Sequence, residues 1–367
     1  MDLSSSLKEK YTKENLSASQ AQRLAEFIAW GPVVFQVGRL MVKFGILSHI
    51  RESENGLTRQ ELVSLTNLSD YAVKSLTEAA LSIGLILVDP QTERFTLSKC
   101  GWFLLNDPAT RINLNFNHDV NYLGWFKLEE SLLNGKPEGL KYLSDCDTIY
   151  EALSSLPSNI QKSWLDFDHF YSDSAFPEAL RILFDDYNRK YILDIGGNTG
   201  KWALKCVDYK EDIKVVVLDL PQQIEMMKRN IDGKSGYERI DGVGINILNE
   251  NAQIPFINGV DGVWMSQFLD CFSMEQIVTI LQKIKNAISS NARLFIMETL
   301  WDRQRFEPAT FCLTMTSLYF TALANGNSKM YNTHDMEFCI RQAGFEIEKI
   351  YDNLGQGHSV LVCRAVK

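Results

Sequence analysis

From Lys190 onward, short apolar runs alternate with longer amphipathic stretches. The runs predict strands at 191–195, 214–218, 240–245, 260–266 and 292–298, then a pair near 346–352 and 358–364. Strands alternating with helices imply an α/β, doubly wound and mostly parallel sheet of Rossmann-like type. Gly355-Gln-Gly357 makes a tight turn between the last two runs, so the last strand should be antiparallel.

Before Lys190 the pattern is helical. Residues 20–105 read as helical segments ending in a small hairpin. Gly45-Ile-Leu-Ser-His49 closes one helix. Thr58 caps the next, with Glu61 at the third helical position. Another helix spans about 70–83 and ends at Gly84. Residues 85–88 and 95–97 then form a wing around Asp89-Pro-Gln-Thr92, which makes the module a winged helix-turn-helix. From 109 to 185 the chain is helical, with breaks near Gly135-Lys-Pro137, Pro157 and Pro177. Tyr122, Trp125, Phe126, Trp164, Phe167, His169, Phe170 and Tyr171 recur through this stretch. Most should be core, with a few lining a pocket under a lid. The expected division is therefore 1–108 winged helix, 109–185 helical linker or lid, and 186–367 α/β domain.

Length supports this division, since 367 residues suit two or three domains. A composition of 45% hydrophobic and 23% charged residues is that of a soluble globular protein. No apolar run is long enough for a membrane span, and no leader pattern is expected. The first fifteen residues are polar and should be frayed. A net charge of −9 argues against general nucleic-acid binding. The winged helix follows suit: residues 51–105 hold five basic and seven acidic side chains. Its would-be recognition helix carries Asp70 and Glu78 against Lys74. Phe27, Trp30, Val33, Val34, Phe35, Val37 and Leu40 form more apolar surface than a small module needs, so the module should hold a homodimer together. Seven scattered cysteines without a C-x-x-C pair read as reduced thiols of a cytoplasmic protein. No metal-ligand spacing is present, and no metal is expected.

The candidate chemistry sits at the first two strand ends of the α/β domain. Tyr191-Ile-Leu-Asp194-Ile-Gly196-Gly197-Asn198-Thr-Gly200 is an apolar run ending in a Gly-rich turn. The next run, Val215-Val-Val-Leu-Asp219, ends in a carboxylate that can take both hydroxyls of a ribose. A dinucleotide turn would need glycine where Asn198 and Lys201 stand. A phosphate loop would need glycine at Ile195 and a hydroxyl at Trp202. Both phosphate readings fail. What remains resembles the first motif of class I S-adenosylmethionine (SAM) methyltransferases.

Together with Asp219-Leu220-Pro221, the winged helix and the helical linker, the whole chain resembles the caffeic-acid and bacterial polyketide type of O-methyltransferase. The resemblance implies that Asp194, Gly196, Gly197, Asn198, Gly200, Asp219, Leu220 and Ser266 hold SAM. It also implies that Asn246, where the family usually has Asp, and Ile247 meet the adenine. The sharp departure is Met265-Ser-Gln-Phe-Leu-Asp-Cys-Phe272, against a family pattern of roughly L-K-x-x-L-H-D-W. Ser266 replaces the lysine, and Asp270 stands where the resemblance places the catalytic histidine. Glu298 matches an acid that positions that histidine.

Three readings of the proton acceptor stay open. Asp270 could serve if burial beside Phe268 and Phe272 raises it from its usual value near ~4 toward a phenol near ~10. His358, opening the last strand at the same sheet edge, is the second candidate. The third reading needs no base, because positioning supplies the acceleration. The expected function is methyl transfer from SAM to a hydroxylated aromatic or conjugated small molecule of secondary metabolism. The alternatives are a SAM-binding relative that has lost methyl transfer, and a SAM-sensing regulator with a winged helix. The latter would need a basic recognition face, which this sequence lacks.

Overall fold

The computed structural model describes residues 5–366. It divides into two compact units, residues 13–120 and residues 121–367 with the segment up to Thr12. Helix α1 (Ser5–Thr12) belongs to the latter unit. Its Leu7 is fully buried and its Lys10 pairs with Glu307. Within the first fifteen residues, then, 5–12 form a packed helix rather than a frayed end. One apolar side chain with a pocket to fill supplies what the polar composition concealed. Residues 1–4 lie outside the described residues.

The unit of residues 13–120 contains α2 (Ala18–Ala29), α3 (Gly31–Lys43), α4 (Ile46–Glu52), α5 (Arg59–Thr66) and α6 (Asp70–Ser82). Thr58 and Glu61 cap α5 reciprocally: the Glu61 N–H donates to Thr58 Oγ1 at 3.3 Å, and the Thr58 N–H donates to Glu61 Oε2 at 2.7 Å. Strands β1 (Ile86–Val88) and β2 (Phe95–Leu97) pair antiparallel, Ile86 opposite Leu97, and Leu57 bridges to Phe95. The wing is thus present. Helices α7 (Lys99–Asn106) and α8 (Pro108–Phe116) follow. Met41, Ile46, Leu47, Ile50, Leu62 and Val73 make the core. Val37 joins them and so leaves the expected apolar surface. Phe27, Trp30 and Val33 stay 45–62% exposed, and α2 buries nothing.

After α1, the other unit continues with α9 (Leu128–Asn134), α10 (Ile149–Ala152), α11 (Ser158–Ser172) and α12 (Phe176–Arg181). Gly135 ends α9 in the left-handed region, and Pro177 sits in the first turn of α12, where its missing N–H costs nothing. None of the eight aromatic-rich positions expected to be mostly core is buried. Five of them lie on α11, which gives the core no apolar side chain among the described residues.

The sheet is built from β3 (Tyr191–Ile195), β4 (Lys214–Asp219), β5 (Ile240–Gly244), β6 (Gly262–Ser266), β7 (Arg293–Glu298), β8 (Phe345–Leu354) and β9 (His358–Ala365). Their order is β5-β4-β3-β6-β7-β9-β8, with β9 antiparallel to both neighbours. The inner strands are buried on both faces, which is why they read as unbroken apolar runs. Helices α13 (Lys201–Tyr209) and α14 (Pro221–Ile231) pack on one face, α15 (Met274–Ala287) and α17 (Thr333–Gln342) on the other. Between β7 and α17 the chain adds α16 (Glu307–Tyr319). Strand order reverses between β3 and β6, so a ligand crevice is expected at their carboxyl ends.

Candidate active site

Ile195 lies opposite Met265, so the turns after β3 and β6 emerge side by side. Gly196 has φ +75°, and a Cβ there would stand 2.3 Å from the Phe268 ring. A Cβ on Gly197 would meet Asp194 Oδ2 at 2.5 Å. The turn is therefore glycine by necessity, closed around one side chain from each strand end. Asn198 and Gly200 also take positive φ, 48° and 75°.

Asp219 binds this turn across the gap. Its Oδ2 accepts the Asn198 N–H at 2.9 Å and its Oδ1 accepts the Leu220 N–H at 2.7 Å. Each oxygen keeps a further lone pair for a hydroxyl. Burial raises the Asp219 carboxyl, and the two N–H donors oppose that rise. Asp194 lies deeper, 2% exposed, with Oδ2 unpartnered. Burial, then the neighbouring Asp219, pushes it up to about 8. Ser266 ends β6 opposite Met297. Asn246 is exposed, and its Oδ1 accepts the Leu248 N–H at 3.0 Å. Ile247 is buried beside it.

The next residue after Ser266, Gln267, was not singled out in the sequence. It takes φ 46°, and its buried Oε1 has no partner. A strained residue with an orphaned acceptor beside a glycine cradle and a ribose-type carboxylate fits a polar nucleoside ligand such as SAM.

Asp270 follows in a short turn, Leu269–Cys271, and is 5% exposed. The Cys271 Sγ–H donates weakly to its Oδ1 at 3.4 Å. Burial lifts the carboxyl to about 7, the Cys271 bond opposes this, and Asp168 adds to it. Glu298, 2% exposed, accepts the Phe268 and Leu269 N–H groups on Oε1 at 3.1 and 2.8 Å. Its Oε2 is buried without a partner. Burial, then the charge on Asp270, drives the Glu298 carboxyl well upward, and the Leu269 and Phe268 N–H groups oppose that rise.

The Asp270 turn is fixed from outside. Asn325 Nδ2 donates to the Cys271 carbonyl at 2.6 Å, and the Tyr331 hydroxyl donates to the Phe272 carbonyl at 2.7 Å. Trp164 Nε1 donates to the Tyr319 hydroxyl at 2.8 Å, which ties α11 to α16. The Tyr150 hydroxyl is buried beside Cys271. Asp168, Tyr150 and Tyr319 were not picked out by sequence reasoning. A signal existed for Asp168: it interrupts the aromatic run on α11, one turn after Trp164.

His358 opens β9 at the same sheet edge. Its ring is fully buried, and burial lowers its pKa to about 4. Of the two candidate bases it is the more deeply enclosed, at 0% exposure against 5% for Asp270.

The α/β sheet, the glycine cradle and the acid at the second strand end define a nucleoside-binding transferase, and comparison with known proteins narrows the class. A Dimerisation2-like domain matches residues 22–95 and an O-methyltransferase domain matches residues 178–346. The chain thus carries an O-methyltransferase domain preceded by a Dimerisation2-like domain. It is 22% identical over 330 residues to L-tyrosine C(3)-methyltransferase of Streptomyces lavendulae, covering 88% of this chain and 87% of that one. It is 23% identical over 330 residues to tabersonine 16-O-methyltransferase of Catharanthus roseus, covering 90% and 81%. The SAM-dependent methyltransferase SibL, in its apo form, superposes with a TM-score of 0.69 at 20% identity, over 93% of this chain and 98% of the other.

Proposed function

We propose that this enzyme uses SAM to methylate a hydroxylated aromatic small molecule, with Asp270 accepting the hydroxyl proton. The observation that carries the reading is Asp270 itself, a buried carboxyl raised to about 7 beside the glycine cradle. Bound SAM would supply an electrophilic methyl group. Asp219 would hold its ribose, Gly196, Gly197, Asn198 and Gly200 would line its path, and Asp194, Leu220, Ser266, Asn246 and Ile247 would complete the site. An acid near 7 narrows the gap to a phenol near ~10, so proton transfer becomes effective at neutral pH. Glu298 would anchor the Asp270 turn by accepting two backbone N–H groups.

Carbon is a second acceptor atom worth testing, since one relative is named L-tyrosine C(3)-methyltransferase. Removing a phenolic proton activates both the oxygen and the adjacent ring carbons, so the same base serves either outcome. We further propose a homodimer held by the Dimerisation2-like domain, and a cytoplasmic location that suits seven free thiols. The test is incubation with methyl-labelled SAM and a panel of phenols, followed by NMR of the products. Label on oxygen or on a ring carbon supports the reading and picks the atom. Tight SAM binding without transfer to any phenol would favour a relative that has lost the reaction.

A further inference from the structure

Asp270 sits in a turn whose backbone is clamped. The Phe268 and Phe272 rings meet edge to face across it, with centroids 4.8 Å apart. Within it, the Cys271 N–H donates to the Phe268 carbonyl at 3.3 Å and the Phe272 N–H to the Leu269 carbonyl at 3.1 Å. Glu298 holds its first residues, and Asn325 and Tyr331 hold its last carbonyls. These bonds fix where the Asp270 backbone stands, not how its carboxyl is turned. The contact that reaches the carboxyl is the Cys271 thiol, 3.4 Å from Oδ1. Among the described residues no lysine or arginine is paired with Asp270. The other titratable groups around it are Asp168 from α11, Glu298 from β7, Tyr150 from α10, Tyr319 from α16 and Tyr331 before α17. All are acids or phenols, so none offers the carboxylate a positive charge.

A base carboxylate has to be oriented without being quenched. A lysine at hydrogen-bond distance would orient it but draw its pKa down, away from that of a phenol. A thiol is a weak, neutral donor and costs little basicity. We propose that Cys271 is a positioning residue for the proton acceptor, its S–H holding Oδ1 of Asp270 so that Oδ2 is turned toward the acceptor hydroxyl. This inference rests on the reading of Asp270 as the base. Burial, then Asp270, pushes the Cys271 thiol well up, so it keeps its hydrogen through the range in which Asp270 ionises. The donor is therefore present whenever the carboxylate is ready to accept a proton.

The experiment is an NMR titration of the full chain, isotopically labelled at its aspartate carboxyl carbons, as the native protein, Cys271→Ala and Cys271→Ser. The Asp270 signal is the one missing from Asp270→Asn. In the native protein it should titrate near 7. Cys271→Ala removes the donor and should move that midpoint up by about 0.3 to 1 pH unit. Cys271→Ser restores a donor and should bring the midpoint back to the native value or below it. Turnover with SAM and a phenol, measured above all the midpoints, should fall at least about threefold in Cys271→Ala and recover in Cys271→Ser. Unchanged S-adenosylhomocysteine affinity in both variants reports folding. A midpoint that stays put in Cys271→Ala, a Ser variant that titrates like the Ala one, or native turnover in Cys271→Ala each overturns the proposal. Native turnover in Asp270→Asn instead overturns Asp270 as the base. The NMR midpoints test the Cys271 contact without any turnover, so the two failures are separable.

Discussion

Asp194 and Asp219 show how one motif can carry two different carboxylates. Asp219 has two backbone donors and remains available to a ribose. Hydrogen bonds to a charged group are worth roughly 1.5–3 kcal/mol each, so Asp219→Ala should weaken SAM binding at least about tenfold. Calorimetry with unchanged SAM affinity would remove Asp219 from the site. Asp194 has no partner on Oδ2, and its folded pKa of about 8 lies above the ordinary 3.8. Between those limits the folded state keeps a proton that the unfolded chain has released. Its stabilising contribution is therefore full below about pH 4 and lost as pH rises to 8, by up to ~1.4 kcal/mol per pH unit. Asp194→Asn should flatten the decline in Tm between about pH 5 and 8. An equally steep decline in the variant would show that Asp194 is ionised in the folded state. Both acids were visible in the sequence as strand-end residues. Their opposite environments were not, because those depend on which backbone N–H groups the folded turn presents.

Elements were legible where their pattern is local. The five parallel strands, the antiparallel last strand and the wing all follow from apolar runs punctuated by glycine, proline and aspartate. The Thr58 capping box was readable from four residues, and Thr58→Ala should cost about 1 kcal/mol in urea unfolding. A cost near zero would mean that solvent caps α5 equally well. What depends on distant packing was not legible. The aromatics of α11 look like core residues in one dimension, yet the helix sends none of them into the core. His358 looks like an accessible histidine beside a turn, yet strand pairing seals it. The turn after β3 is legible as a glycine cradle, but not the Phe268 ring that closes on it. Gly196→Ala combines a left-handed backbone with that clash, so it should lower both Tm and SAM affinity. An Ala variant with native affinity would mean that the turn shifts freely.

At the scale of the whole molecule, the two units carry separate roles. The unit of residues 13–120 exposes Phe27, Ile28, Trp30 and Val33, and its acidic balance disfavours DNA. Light scattering at micromolar concentration should report a dimer, and a monomer there would contradict the proposed dimer. The other unit combines the glycine cradle with Asp270, which we propose stands where the resemblance places the family's histidine. That substitution is the central claim about how the enzyme works. The decisive measurement is the pH dependence of turnover, with SAM and a phenolic acceptor, for the native protein, Asp270→Asn and His358→Gln. Native turnover should rise through a pKa near 7. His358→Gln should keep that limb, whereas Asp270→Asn should lose it together with about 10²–10⁴ in rate. If Asp270→Asn retains near-full turnover and the same limb, Asp270 is not the proton acceptor and methyl transfer rests on positioning alone.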